Sequence, residues 1–170
     1  MTTRYRFGIQ AAAVYSQSQT ATVSPFATSY YVSTGGNDSS VGTSPSTAVL
    51  TIAAAIALTT AGRGDTIWIA PGTYTEAVLI PKSHTIFRAA VMGNVGRPTV
   101  VITSNIADMV QIDVDGTQWY GIEFLAGGAT TDNLVDIADT AAVSGVVFDS
   151  CVFNGAAQTS VVGIQADDAS

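Results

Sequence analysis

Charge is scarce in this chain: 11% of its 170 residues are Asp, Glu, Lys or Arg, and no Lys or Arg follows Arg97. That share is less than half of the ~25% of an average soluble domain, yet 47% of the residues are hydrophobic, which excludes a disordered polyelectrolyte. A single cysteine excludes a disulfide-stapled scaffold, and sixteen glycines without a strict period exclude a collagen-like chain. Long apolar runs are also missing. The longest, Ala48 to Ala61, is broken by Thr51, Thr59 and Thr60 and falls short of the ~18–20 residues that cross a membrane as a helix. What remains is a threonine- and valine-rich, β-dominated chain of a length that suits one domain with a real core.

The net charge of −7 is unevenly spread. Residues 1–28 carry Arg4 and Arg6 and no acid, whereas residues 105–170 carry ten acids and no base. A phosphate backbone would be repelled by the second half, so no nucleic-acid partner is expected, and no membrane partner either. The first segment is read as an N-terminal arm or linker (1–28), basic and aromatic at Arg4, Tyr5, Arg6 and Phe7, then polar. Its apolar stretch from Phe7 to Tyr15 is short and holds Gln10, which does not make an export signal. The lone Cys151 fits a reducing compartment.

One good helix is expected, over 50–61. Ile52, Ala55, Ile56 and Thr59 share a face, with Thr51 as N-cap and Gly62 and Arg63 at the C-terminal end. Tyr30-Tyr31-Val32 reads as a strand. After Asp65 the chain reads as short β runs: Thr66–Ala70, Ala77–Ile80, Thr85–Phe87, Thr99–Thr103, Met109–Val114, Trp119–Leu125, Leu134–Ile137, Val143–Phe148, Cys151–Phe153 and Val161–Ile164. Two motifs recur. Gly121-Ile122-Glu123-Phe124 returns as Gly145-Val146-Val147-Phe148, and Val110-Gln111-Ile112 returns as Val135-Asp136-Ile137 and again as Val162-Gly163-Ile164. Spacings of about 24–27 residues indicate a coil of stacked turns. With no helical pattern between the strands, a parallel β-helix of roughly four turns over 29–170 is expected, continuing beyond 170 if the chain is longer. Ile122 and Phe124 should then stack on Val146 and Phe148, with Glu123 outside and the helix capping the first turn.

Three segments carry a family resemblance. Tyr30-Tyr31-Val32-Ser33-Thr34-Gly35-Gly36-Asn37-Asp38, then Thr51-Ile52-Ala53-Ala54-Ala55-Ile56, then Gly64-Asp65-Thr66-Ile67-Trp68-Ile69-Ala70-Pro71-Gly72-Thr73-Tyr74, resemble the opening of right-handed parallel β-helix proteins of the pectin-lyase-like superfamily. The resemblance covers about residues 30–153. It implies an all-β, single-stranded right-handed coil with Pro71-Gly72 at its first corner. Such folds host lyases, hydrolases, adhesins and phage spikes, so it does not by itself assign an activity. Lyases of the superfamily use a Lys or Arg base on a middle turn, a base that is missing here after Arg97.

The remaining candidates each carry a plain structural reading. Asp113/Asp115 and Asp136/Asp139 could pair as hydrolase acids or stack to hold Ca²⁺, but lack both the hydrolase context and the calcium nonapeptide, so they read as solvated outward acids. His84 has no second His or Cys beside it, Cys151 reads as an inert core thiol, and Gly93-Asn94-Val95-Gly96 is a turn without the lysine of a phosphate loop. Trp68, Tyr74, Trp119 and Tyr120 are either core aromatics or sugar-stacking faces, with Trp119 and Tyr120 the candidate glycan contacts. No cofactor, metal or catalytic residue is expected. The resulting expectation is a structural protein of a bacteriophage particle, a capsid decoration protein or the base of a fibre or spike. It would be a homotrimer, as the resemblance to phage spikes implies, assembled in the host cytoplasm and docked on other virion proteins by Arg4, Tyr5, Arg6 and Phe7. Two alternatives stay open: a polysaccharide-active enzyme or fragment of one, in which Asp113→Asn or Asp136→Asn would abolish turnover, and a cell-surface or secreted glycan-binding adhesin, in which Trp119→Ala would abolish binding.

Overall fold

The computed structural model describes residues 25–93, 98–105, 108–128, 133–137, 143–155 and 162–166. Among these described residues the protein is all-β apart from one short helix and a 3-10 turn at Pro45–Thr47. They hold thirteen strands in three sheets, and every strand pair is parallel. Sheet A holds β1 (Ser29–Val32), β2 (Thr66–Ile69), β5 (Ile86–Ala89), β8 (Gln118–Tyr120) and β11 (Val147–Asp149). Sheet B holds β3 (Gly72–Thr75), β6 (Val100–Ser104), β9 (Ile122–Ala126) and β12 (Val152–Asn154). Sheet C holds β4 (Val78–Ile80), β7 (Val110–Ile112), β10 (Asn133–Ile137) and β13 (Val162–Ala166). After β1 the chain visits A, B and C in strict rotation four times, so each strand meets its equivalent one round later, about 4.8 Å away.

Alternation along each strand sends one set of side chains inward, where register stacks them in columns. Tyr30, Ile67, Phe87, Trp119 and Phe148 stack in sheet A. Tyr74, Ile102, Phe124 and Phe153 stack in sheet B, and Ile80, Ile112 and Ile137 in sheet C. Phe87 and Trp119 lie face to face, 3.9 Å between centroids, and Phe124 meets Trp119 edge-on at 5.4 Å. The corners stack as well. Each of β2, β5, β8 and β11 is preceded at two residues' distance by a residue at positive φ: Gly64 (77°), His84 (60°), Gly116 (71°) and Gly145 (70°). Three of the four are glycine because this left-handed conformation costs other residues roughly 1–2 kcal/mol.

Several expectations need correction. The helix, α1, spans Ile52–Leu58 and not 50–61. Thr51 does cap it, accepting from the Ala54 amide at 3.1 Å, but Thr59 turns extended and its hydroxyl donates to the Ile56 carbonyl at 2.8 Å, ending the helix early. The Pro71-Gly72 corner is followed at once by a strand, β3, that the sequence does not suggest. The run 119–125 is two strands, split by Gly121 at φ 70°. The 24-residue motif match does not reflect the stacking. Phe124 pairs with Phe153 and Phe148 with Trp119, both 29 residues apart. Val162 likewise aligns with Asn133 and not with Val135. Offsets between paired strands range from 20 residues (Thr66 to Ile86) to 37 (Ser29 to Thr66), because corner loops differ in length while the paired strands keep their register.

α1 packs Ile52, Ala55 and Ile56 against the first round, touching β1, β2 and β4. Its ends are held by charged side chains from elsewhere. The Glu76 carboxylate accepts the Ile52 and Ala53 amides at 2.9 and 3.0 Å. Lys82 donates to the Ala57 and Thr59 carbonyls at 2.7 and 2.6 Å, an acid at the positive end and a base at the negative end.

Candidate functional site

Outward positions of sheet A form two columns. One is Ser29, Thr66, Ile86, Gln118 and Val147, in which Ile86 is buried; the other is Tyr31, Trp68, Arg88, Tyr120 and Asp149. The second concentrates residues that recognise ligands. Five rungs at the strand spacing give a row about 19 Å long, running across the strands along the stacking direction. The Arg88 guanidinium carbon lies 3.9 Å from the centre of the Tyr120 ring, a cation–π pair. The Tyr120 hydroxyl donates to Gln118 Oε1 at 2.8 Å, which fixes the ring from the neighbouring column. Asp149 accepts from the Ser150 hydroxyl at 2.9 Å.

A groove of about 200 Å³ opens on this column, lined by Trp68, Arg88, Ala89, Met92, Tyr120, Gly121, Asp149 and Ser150. Met92 forms one wall and sits over Gly121, where a side chain would collide with its sulfur. The segment carrying Met92 is tied back by a bridge to Pro98 and by the Thr99 hydroxyl donating to the Val91 carbonyl.

The four aromatics singled out in the sequence divide two and two. Trp68 and Tyr120 face the groove. Trp119 is fully buried on Phe87, so the expected glycan contact at Trp119 does not hold: neither face of its ring reaches the surface. The inward column of β8 takes Trp119 and the outward one takes its neighbour, which sequence alternation alone could not assign. Tyr74 is also buried, donating to the Ala70 carbonyl at 2.8 Å; burial first, then the Glu76 charge, pushes its phenol up to about 12.

Among the described residues, Asp136 does not stack on Asp113 or Asp115. Asp136 pairs in register with Gln111, away from Asp113 and Asp115, and is 3% exposed, which corrects its reading as a solvated outward acid. Asp115 sits at a corner, where its carboxylate accepts the Ser144 amide at 2.7 Å and hydroxyl at 2.9 Å; these bonds hold it below the usual carboxylate range. His84 occupies the left-handed corner with its ring against Gly116. Among the described residues, no three His, Cys, Asp or Glu side chains converge to hold a metal ion. Cys151 is partly buried, its sulfur 3.5 Å from the Trp119 and Asp149 carbonyls, and burial raises its thiol. Arg4, Tyr5, Arg6, Phe7, Asp139 and residues 94–96 lie outside the described residues. No helix among the described residues is long and apolar enough to cross a membrane. No family model, curated protein or solved structure matches the chain.

Proposed function

We propose that the chain is a right-handed, single-stranded parallel β-helix of the pectin-lyase-like kind, serving as a structural protein of a bacteriophage particle. It would be a decoration protein or the base of a fibre or spike, held by its N-terminal arm and projecting the β-helix outward as a homotrimer. The observation that supports this best is the fourfold rotation through three parallel sheets, closed at its first end by α1. Strands that return parallel to the same sheet do so by right-handed crossovers in nearly all proteins, which supports the hand. A stack of this kind grows along one axis, each round touching only its neighbours, which gives a stiff projecting rod. The charge division fits an anchored arm and an outward body: Arg4 and Arg6 without an acid in residues 1–28, against ten acids in residues 105–170.

The test is the mass in solution of the full chain and of a chain starting at Pro25. The cut spares Thr28, whose amide donates to Asp65 at 2.7 Å. Both should run at three times their own chain mass, which for the full chain is 17.4 kDa. A monomer in both removes the trimeric spike. A trimer only in the full chain makes the arm an assembly element and removes its docking role.

A further inference from the structure

We infer that Asn154-Gly155 is a site of spontaneous deamidation, and that its product loosens the last described round of the stack. This reading is independent of where the protein resides or how it assembles. The asparagines of the chain, Asn37, Asn94, Asn105, Asn133 and Asn154, are followed by Asp38, Val95, Ile106, Leu134 and Gly155. Deamidation begins when the backbone nitrogen of the following residue attacks the side-chain amide carbon. A side chain beside that nitrogen obstructs the attack, and glycine leaves it open. The fold places Asn154 where the attack can occur. It is exposed and ends β12, and its pairing with Leu125 ends the ladder to β9, so the Gly155 nitrogen stands outside that ladder. Among the described strands β12 has β9 as its one neighbour, and small openings of such an edge supply the backbone freedom that ring closure needs.

Asp115-Gly116 supplies the contrast. It can close the same succinimide ring with loss of water, but its atoms are tied down. The Gly116 amide donates to the Ser144 carbonyl at 2.8 Å, and the Asp115 carboxylate accepts the Ser144 amide and hydroxyl. At Asn154 the Gly155 nitrogen bonds to Cγ, the Cγ–Nδ2 bond breaks, and ammonia leaves with the proton of the Gly155 amide. Water then opens the succinimide at either carbonyl, giving aspartate or, with the main chain rerouted through the side chain, isoaspartate. The change falls on a contact between rounds: Asn154 Nδ2 donates to Glu123 Oε1 at 3.0 Å. A carboxylate has no donor to offer there, so a bond between β12 and β9 becomes a repulsion of like charges. Isoaspartate also lengthens the main chain by a methylene at the end of β12. Either product weakens the hold of β9 on that strand.

The experiment ages the full chain at physiological temperature and mildly alkaline pH, and locates isoaspartate and the amide-to-acid mass change by peptide mapping. Conversion at Asn154 should run about tenfold faster, or more, than at Asn37, Asn94, Asn105, Asn133 or Asp115. Gly155→Ala should slow it by about tenfold. If that variant fails to fold, the comparison of sites within the native chain still decides. The structural consequence is read at Cys151, just before β12, as its rate of reaction with a thiol reagent. Asn154→Asp should raise that rate about threefold or more, and Glu123→Gln in the same chain should reverse the rise by removing the opposing charge. The inference is overturned if another asparagine or Asp115 converts as fast, or if a folded Gly155→Ala chain converts at the native rate. It is overturned equally if Asn154→Asp leaves Cys151 no more reactive than in the native chain.

Discussion

The first and the last described rounds of the stack are built from different materials. At the first end, polar groups tie the chain down around an apolar seal. Asp65, fully buried, accepts from the Thr28 and Thr60 amides at 2.7 and 2.8 Å and from Arg63 Nε and Nη2 at 2.6 and 2.7 Å. Arg63 also reaches the Tyr30 hydroxyl at 3.2 Å, and Asp38 takes the Leu50 and Thr51 amides at 2.7 and 2.9 Å. In the last round, β11 to β13, the inward residues Val146, Phe148 and Phe153 are only partly buried. Outward Val147 and Val152 are both 40% exposed. The strands are equivalent in register, yet burial falls from complete to partial. The contrast indicates that a strand in a stack owes its stability to neighbours on both sides, and that a polar cap substitutes for the missing neighbour at the first end.

The largest test of that contrast compares two stacked phenylalanines. Phe124 and Phe153 lie in one column with centroids 5.2 Å apart, but Phe124 is fully buried and Phe153 partly so. Phe124→Ala should lower unfolding free energy by about 3–5 kcal/mol, since the cavity is enclosed by neighbouring rounds. Phe153→Ala should cost about half of that, because less area returns to water. Equal losses in denaturant titrations would mean that the last round is as well covered as the third, and that the proposed difference between the ends is wrong.

The next effect belongs to the cap. Asp65→Asn keeps the shape but leaves Arg63 without its carboxylate, and should cost about 3 kcal/mol, the low end for a broken buried pair because Arg63 retains some solvent. Burial raises the Asp65 carboxyl, but the Arg63 bonds and the Thr28 and Thr60 amides outweigh it and leave it below the ordinary range. A lowered folded value means that the stabilisation is complete above the unfolded carboxylate value of about 4 and is lost as pH falls through the folded one. The gap between native and variant should therefore be widest near neutrality and close in acid. Asp38 and Asp115 are lowered too, so the variant keeps a shallower slope of the same sign. A gap independent of pH would show that the lost interaction is not carried by the carboxylate charge.

Local features of this design can be read in the sequence, and distant ones cannot. Thr51 announces the cap and short valine- and isoleucine-rich runs mark strands, because each depends on residues close in the chain. Register depends on loop lengths. Tyr31, Trp68, Arg88, Tyr120 and Asp149 are separated by 37, 20, 32 and 29 residues, so no constant period could align them. The repeated Gly–hydrophobic motif misleads for the same reason: a glycine before an apolar strand recurs at different corners, with Gly121 leading into sheet B and Gly145 into sheet A. Asp65 is visible as a corner residue. Its partners Thr28 and Arg63 are visible too, but which amide reaches which oxygen is set only once β1 lies beside β2.

The smallest effect is a difference in rates. Cys151 sits just before β12, partly buried, and burial raises its thiol, so little thiolate is present at neutral pH. Ala55 faces the core from α1 and is fully buried. Ala55→Cys, made in a Cys151→Ala background, places the same probe at the closed end. If local opening controls access, Cys151 should react with a thiol reagent by small excursions of the last round, while the thiol introduced on α1 should wait for the cap to lift with Glu76 and Lys82 released. Labelling at the cap should therefore be slower, and Asp65→Asn should accelerate it selectively. Acceleration of both sites together would make the stack a single cooperative unit, with the cap's polar ties supporting the last round as much as the first.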